Sequence, residues 1–184
     1  MATSVALRSF SPAMATTAPV TFAEAVRDHQ DEVFGVALRI TGDREAAPDV
    51  TSSTFLKAYR AFDRYDPSRP LRHWLLRIAT NEAISHIRTR ARELRHRADV
   101  DAASTVPDTA AVPEQESIAR ESRARIRSAV TGLPELYRVV IVLRYFNELT
   151  VDEIAQVTGR PASTVGVQLL RGRALLRRAL EGAP

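Results

Sequence analysis

The chain has 184 residues, with 26 Lys+Arg, 22 Asp+Glu, four His and no Cys, for a net charge of +4. Without cysteine there is no disulfide framework, no thiolate metal site and no cysteine nucleophile. The longest unbroken aliphatic run, Val139–Leu143, is far short of the roughly 20 residues that span a bilayer.

Residues 1–20 are rich in Ala, Ser and Thr, carry Arg8 as their one charge and lack the apolar centre of a secretory signal. They read as a disordered tail, with Met14 a second candidate start, and the expected location is cytoplasmic. Thr21-Phe22-Ala23-Glu24 has the capping-box form that opens a helix. Phe22, Val26, Val33, Ala37 and Ile40 follow at helical spacing, and Thr41-Gly42 ends it. Asp43 is placed to cap a second helix, marked by Val50, Phe55, Tyr59 and Phe62, in which Pro48 is tolerated near the first turn. A third helix runs from about Pro70 towards Arg97. Residues 98–117 then read as a flexible acidic linker, with two prolines, five acids and no Arg or Lys. A helix from about Glu114 to Val130 follows, and Pro134 opens the next. The run Arg138–Leu143 has strand propensity but is read as a buried helix, given the proline start and the lack of a partner strand. Thr150-Val151-Asp152-Glu153 is a second capping box, Gly159-Arg160-Pro161 a turn, and Ser163 or Thr164 begins a last helix reaching Leu180. The expected fold is all-α: two small helical domains, 21–97 and 118–184, joined by the linker.

The charge is segregated along this plan. Residues 24–68 hold 6 basic against 9 acidic groups, 69–97 hold 8 against 2, 98–119 hold none against 5, and 120–184 hold 11 against 6. Lys57 is the single lysine, so the basic blocks are arginine.

Thr150–Arg173 has the pattern of a helix-turn-helix. Ala155 is small enough for two helices to cross closely, Gly159 tolerates the positive φ of a tight turn, and Ile154, Val157, Val165 and Leu169 lock the pair. The outer face of the second helix, with Ser163, Val167, Leu170, Arg171 and Arg178 flanked by Thr164 and Gln168, is then free to lie in a major groove. Arg171, Arg173, Arg177 and Arg178 are candidate phosphate contacts, and Arg160 is a further candidate DNA-binding residue. In the third helix Arg72, Trp74, Arg77, Asn81, Ser85, Arg88 and Arg90 alternate with aliphatic positions. Trp74, Arg77, Asn81, Ser85 and Arg88 fall within roughly 80° of one another. An aromatic, an amide, a hydroxyl and guanidiniums on one stripe suit single-stranded nucleic acid; taken alone, a lone Trp is more often core and an Arg run more often solvated surface. The four histidines show no metal spacing, and there is no phosphate loop or nucleophile elbow, so neither catalysis nor a cofactor is expected.

In their order, PLRHWLLRIATNEAISHIRTR, the linker, and LPELYRVVIVLRYFNELTVDEIAQVTGRPASTVGVQLLRGRALL resemble the extracytoplasmic-function (ECF) type of bacterial RNA polymerase sigma factor. The resemblance implies core RNA polymerase and promoter DNA as partners, and an anti-sigma factor as a candidate third, with no membrane insertion. It implies that the N-terminal domain docks on the polymerase and melts the −10 element, with a flipped base held near Asn81, and that the helix-turn-helix reads the −35 element. Asp49, Ser52, Ser53, Phe55 and Leu56 fall on the docking segment. The acidic linker would lie in a nucleic-acid channel as a mimic of its charge. Several positions depart from the family's pattern: Ser85 where an Asp is usual, Ser52 and Ser53 where Gln and an acid are usual, Pro48 in place of an acid, and Gly166-Val167-Gln168 in place of Lys-Ser-Arg. The last change leaves two readings open. Either −35 specificity is altered, with Val167 on thymine methyls and Gln168 on an adenine edge, or −35 binding is weakened. A helix-turn-helix regulator that does not program core polymerase is the alternative function.

Overall fold

Two reciprocal caps set where the helices of each half begin. The Thr21 N–H donates to Glu24 Oε2 at 2.8 Å while the Glu24 N–H donates to Thr21 Oγ1 at 3.3 Å; Thr150 and Glu153 repeat the arrangement at 2.7 and 3.3 Å. The computed structural model describes residues 21–98 and 117–181. They form α1 (Phe22–Thr41), α2 (Ala46–Ala61), a 3-10 turn at Phe62–Arg64, α3 (Leu71–Ala98), α4 (Ser117–Thr131), α5 (Glu135–Tyr145), α6 (Val151–Thr158) and α7 (Ala162–Glu181), with no strand among the described residues. The expected tail and almost all of the expected linker lie outside the described residues.

Local chemistry explains the boundaries. Gly42 takes φ 72° after α1 and its N–H donates to Leu38 O at 2.9 Å. Asp43 caps α2 from outside the N-cap position: its Oδ1 accepts from the Glu45 and Ala46 N–H groups at 2.9 and 3.3 Å. Pro48 sits in the first turn of α2, where a missing N–H costs nothing. The β-prone run Val139–Leu143 is helical and wholly buried. Gly159 (φ 68°) turns the chain between α6 and α7.

Helices α1, α2 and α3 pack on one another in the N-terminal half, and α4 to α7 in the C-terminal half. The sequence suggested two small helical domains joined by the linker. Helices of the two halves also pack on one another, α1 on α4 and α5, α3 on α6. One apolar cluster runs from Val33 and Ile40 through Leu75 and Leu76 to Ile141, Ile154 and Leu169. Contact is close at Gly42, where an added Cβ would lie 2.8 Å from Thr131 Cγ2.

Two glycines of α7 have opposite surroundings. An added Cβ at Gly166 meets nothing within 4 Å, whereas at Gly172 it lies 3.0 Å from Ile141 Cγ1 and 3.3 Å from Tyr137 Cβ. Gly166→Ala is therefore expected to raise stability by about 1 kcal/mol through helix propensity. Gly172→Ala is expected to lower it by about 1 kcal/mol or more, because overpacking outweighs that gain. Thermal denaturation checks both, with shifts of roughly 2–4 °C per kcal/mol in opposite directions.

Candidate nucleic-acid interface

Helix α3 presents part of the expected stripe as one surface. Arg77, Asn81, Ser85 and Arg88 are exposed, and Trp74 is half-buried beside them. Trp74 leans on Tyr65 and Phe62, with ring centroids 5.2 and 6.2 Å away. Those neighbours hold one side of the indole. Trp74, Arg77, Ile78 and Asn81 line an open cleft of ≈ 530 Å³ whose far wall is Lys57 from α2. Lys57 donates to Glu82 Oε1 at 2.5 Å across it.

The remaining members of the stripe sit elsewhere. Arg90 pairs with Asp43 in the α1–α2 turn. Arg72 turns towards α1: its Nε–H is shared between both Glu32 oxygens at 3.0 Å, and its Nη2 donates to the Asn147 carbonyl at 2.6 Å. Asn147 is buried and donates its amide to Glu32 Oε1 at 2.9 Å. Burial alone would raise the Glu32 pKa, but the hydrogen bonds from Arg72 and Asn147, with the Arg72 charge, outweigh it and hold the carboxyl below its ordinary value.

Other contacts cross between the two halves. Arg88 makes a two-point pair with Glu135, Nη2 to Oε1 at 2.8 Å and Nε to Oε2 at 3.2 Å, and Glu135 raises the guanidinium's pKa. His73 Nε2 lies 3.5 Å from Glu153 Oε1. Arg138 donates to Ile40 O at 2.7 Å and to Leu133 O, and also bonds Thr131 O. Arg39 lies 4.5 Å over the Phe146 ring.

In the helix-turn-helix, Ser163, Thr164, Val167, Leu170, Arg171, Arg173 and Arg178 are exposed on α7. Gln168 is not on that face. It is buried, and its Oε1 accepts from Arg160 Nη1 at 3.0 Å. Arg160 also donates to Leu136 O at 3.4 Å, and burial lowers its pKa. The wheel placed Gln168 on the flank; packing of α7 on α5 turns it inward. On α2, Asp49, Ser52 and Leu56 are exposed along one face, Ser53 and Phe55 are half-buried at its edges, and Tyr59 extends it.

The Sigma-70 region 2 family matches residues 25–93 and the Sigma-70 region 4 family matches 123–176. The ECF RNA polymerase sigma factor SigW of Bacillus subtilis is 32% identical over 165 residues, covering 86% of this chain and 88% of that protein. The chain belongs to the ECF sigma factors. SigE of Mycolicibacterium smegmatis is 35% identical over 156 residues, and there the alignment spans 59% of the relative's length. Among solved structures, CnrH in complex with the cytosolic domain of CnrY is similar with a TM-score of 0.64 at 27% identity, over 89% of each chain. The sigma factor RpoE of Bartonella quintana, solved with the anti-sigma factor NepR, shares the fold at a TM-score of 0.70 and 21% identity, over 87% of this chain and 96% of that one.

As an ECF sigma factor, the chain directs core RNA polymerase to start transcription at its promoters. Two residues of this sigma factor escaped the sequence reading. Lys57 was visible as the only lysine but is brought to Trp74 and Asn81 only by the α2–α3 packing. Tyr59 reads as a core position by spacing and is 64% exposed in the fold.

The Glu32 carboxylate stabilises the fold when charged. Its folded pKa lies below the ordinary 4.5, so its contribution is present above pH 4.5 and is lost as pH falls through the folded value. Urea unfolding across pH is expected to show wild type more stable than Glu32→Gln at neutral pH. The gap is expected to narrow steadily once the pH drops below 4.5.

Proposed function

We propose that the sigma factor divides promoter opening between two faces. The α3 stripe engages the single-stranded −10 element, and the exposed face of α7 reads the −35 duplex. The observation that carries the first half is the open cleft at Trp74, Arg77 and Asn81, with Lys57 opposite. It offers an aromatic edge, an amide for base edges and the Arg77 guanidinium for the backbone at one point, with Lys57 paired to Glu82 across it. A base extruded there loses its stacking, at a cost of a few kcal/mol, and gains it back from the indole and the amide. Ser85 stands on the same face, one turn from Asn81.

On α7 the bulk of specific contact falls to Ser163, Thr164 and Val167. Gln168, held by Arg160, supports the helix from behind. Apolar contact from Val167 to thymine methyl groups is the readout that its exposure favours. Arg171 and Arg173 supply phosphate contacts, which give affinity and register. The outer face of α2, with Asp49, Ser52, Leu56 and Tyr59, docks on core polymerase, with Ser53 and Phe55 setting its edges. No bond chemistry is assigned to the chain, and its place is the cytoplasm, where polymerase works. The RpoE complex, solved with the anti-sigma factor NepR, supports an anti-sigma factor as a further partner.

The test is transcription with core polymerase on duplex and pre-melted templates. Asn81→Ala is expected to reduce initiation from the duplex promoter by at least tenfold and to recover most of it when the −10 region is supplied as an open bubble. Equal loss on both templates would place Asn81 outside strand opening. Arg171→Ala is expected to weaken binding to −35 duplex and to flatten its salt dependence by about one unit of slope; salt titration of binding reads this directly.

A further inference from the structure

The half-buried arginines Arg72, Arg138 and Arg160 each have oxygen partners. Arg39, half-buried in the last turn of α1, has none among the described residues. Its guanidinium lies 4.5 Å over the Phe146 ring. Burial lowers its pKa, and the like charge of Arg127 on α4 lowers it further. The helix-end carbonyls of Ile40 and Thr131 are already taken by Arg138.

These cations rim a slot of ≈ 290 Å³ between α1 and α4. Arg39 and Arg127 line it together with Arg123, which stands one turn before Arg127 on the same face of α4. The walls are apolar: Leu38 from α1, Ile126 and Val130 from α4, and Phe146 after α5. No Asp or Glu lines the slot among the described residues. Ile126 and Phe146 are 44% and 40% exposed, so the apolar walls are open to solvent. The volume is at the lower end of the roughly 300–1,000 Å³ of small-molecule sites.

We infer that the slot between α1 and α4 binds a small amphipathic anion: a carboxylate or phosphate head held by Arg39 and Arg127, and a compact apolar body laid on Leu38, Ile126, Val130 and Phe146. The head supplies the counter-charge that the chain does not. Guanidinium forks match carboxylate and phosphate oxygens alike. A bare inorganic anion leaves the apolar walls wet, and a neutral amphiphile leaves the arginines unpaired. Both halves of the ligand are therefore needed. Arg39 reaches the slot because residue 35 carries no side chain: an added Cβ at Gly35 would lie 2.5 Å from Arg39 Nη1. That atom ends a flexible chain, so Gly35→Ala swings the guanidinium away without removing it, and adds helix propensity to α1.

The test titrates the full chain with octanoate, octyl phosphate, octanol and inorganic phosphate, by calorimetry and by thermal denaturation. Octanoate or octyl phosphate is expected to bind at one per chain and to raise the Tm with concentration, by linkage to the folded state. The tighter of the two identifies the head group. Octanol and inorganic phosphate are expected to bind at least about tenfold more weakly, for want of the charged contact or the apolar one. Gly35→Ala and Arg127→Gln are each expected to weaken the amphiphile about tenfold, the loss of one charge-assisted hydrogen bond. A Tm of unliganded Gly35→Ala at or above that of wild type shows that its fold is intact. Arg95→Gln, at an exposed position of α3, makes the same charge change as Arg127→Gln and is expected to match wild type. Octanol binding as tightly as octanoate would make the slot a plain apolar crevice and overturn the proposal. Undiminished binding in Gly35→Ala or Arg127→Gln would do the same, and so would an equal loss in Arg95→Gln. Absence of saturable binding by both octanoate and octyl phosphate would also overturn it and leave the slot to an acidic segment of protein.

Discussion

One half-buried guanidinium, that of Arg138, ties the ends of three chain segments. Its donors reach Ile40 O at the end of α1, Thr131 O at the end of α4 and Leu133 O in the turn that leads to α5. Carbonyls at helix C-termini have no partner in their own helix and carry the negative end of the dipole. A cation among several of them satisfies both needs at once. Burial lowers the Arg138 pKa, with the charge of Glu135 opposing. The rest of the interdomain contact lies around this anchor: α1 runs beside α4, where Gly42 leaves room for Thr131, and beside α5, after which Asn147 closes on Glu32 and Arg72.

The parts of the fold legible in the sequence were those specified locally. Both capping boxes, the Gly42 and Gly159 stops and the helix-turn-helix are fixed by residues within a few positions of one another. Their physics is present in any short window. The proline at 134 decided correctly against a strand for Val139–Leu143, because a chain buried all round carries no periodicity to read. What stayed hidden depends on partners distant in sequence. Arg72 and Arg90 read as members of a nucleic-acid stripe, yet their partners are Glu32, Asn147 and Asp43, 40 to 75 positions away. Gln168 faces inward because of where α5 lies, which no wheel of α7 contains. The packing of the two halves was illegible for the same reason: a linker between two domains says how far apart they can move and nothing about where they rest.

The arrangement also recasts the charge pattern. Basic blocks at 69–97 and 120–184 suggested two separate cationic faces. In the fold, the second block brings its own carboxylates, Glu135 and Glu153, to the arginine and histidine of the first. Three arginines of α3, Arg72, Arg88 and Arg90, are thus paired with carboxylates within the chain. Arg171 and Arg173 on α7 make no such pair among the described residues and stay available to a duplex.

Gly166 and Gly172 lie on one helix and answer to different constraints. At 172 the backbone itself is the contact surface for Ile141 and Tyr137, so that position is frozen by α5. At 166 there is only open space on the flank of the exposed face. A Cβ added there touches nothing. Positions 166 and 167 can therefore change without touching the frame of α7, whereas 172 cannot: one part of the helix is exchangeable and its mount is not.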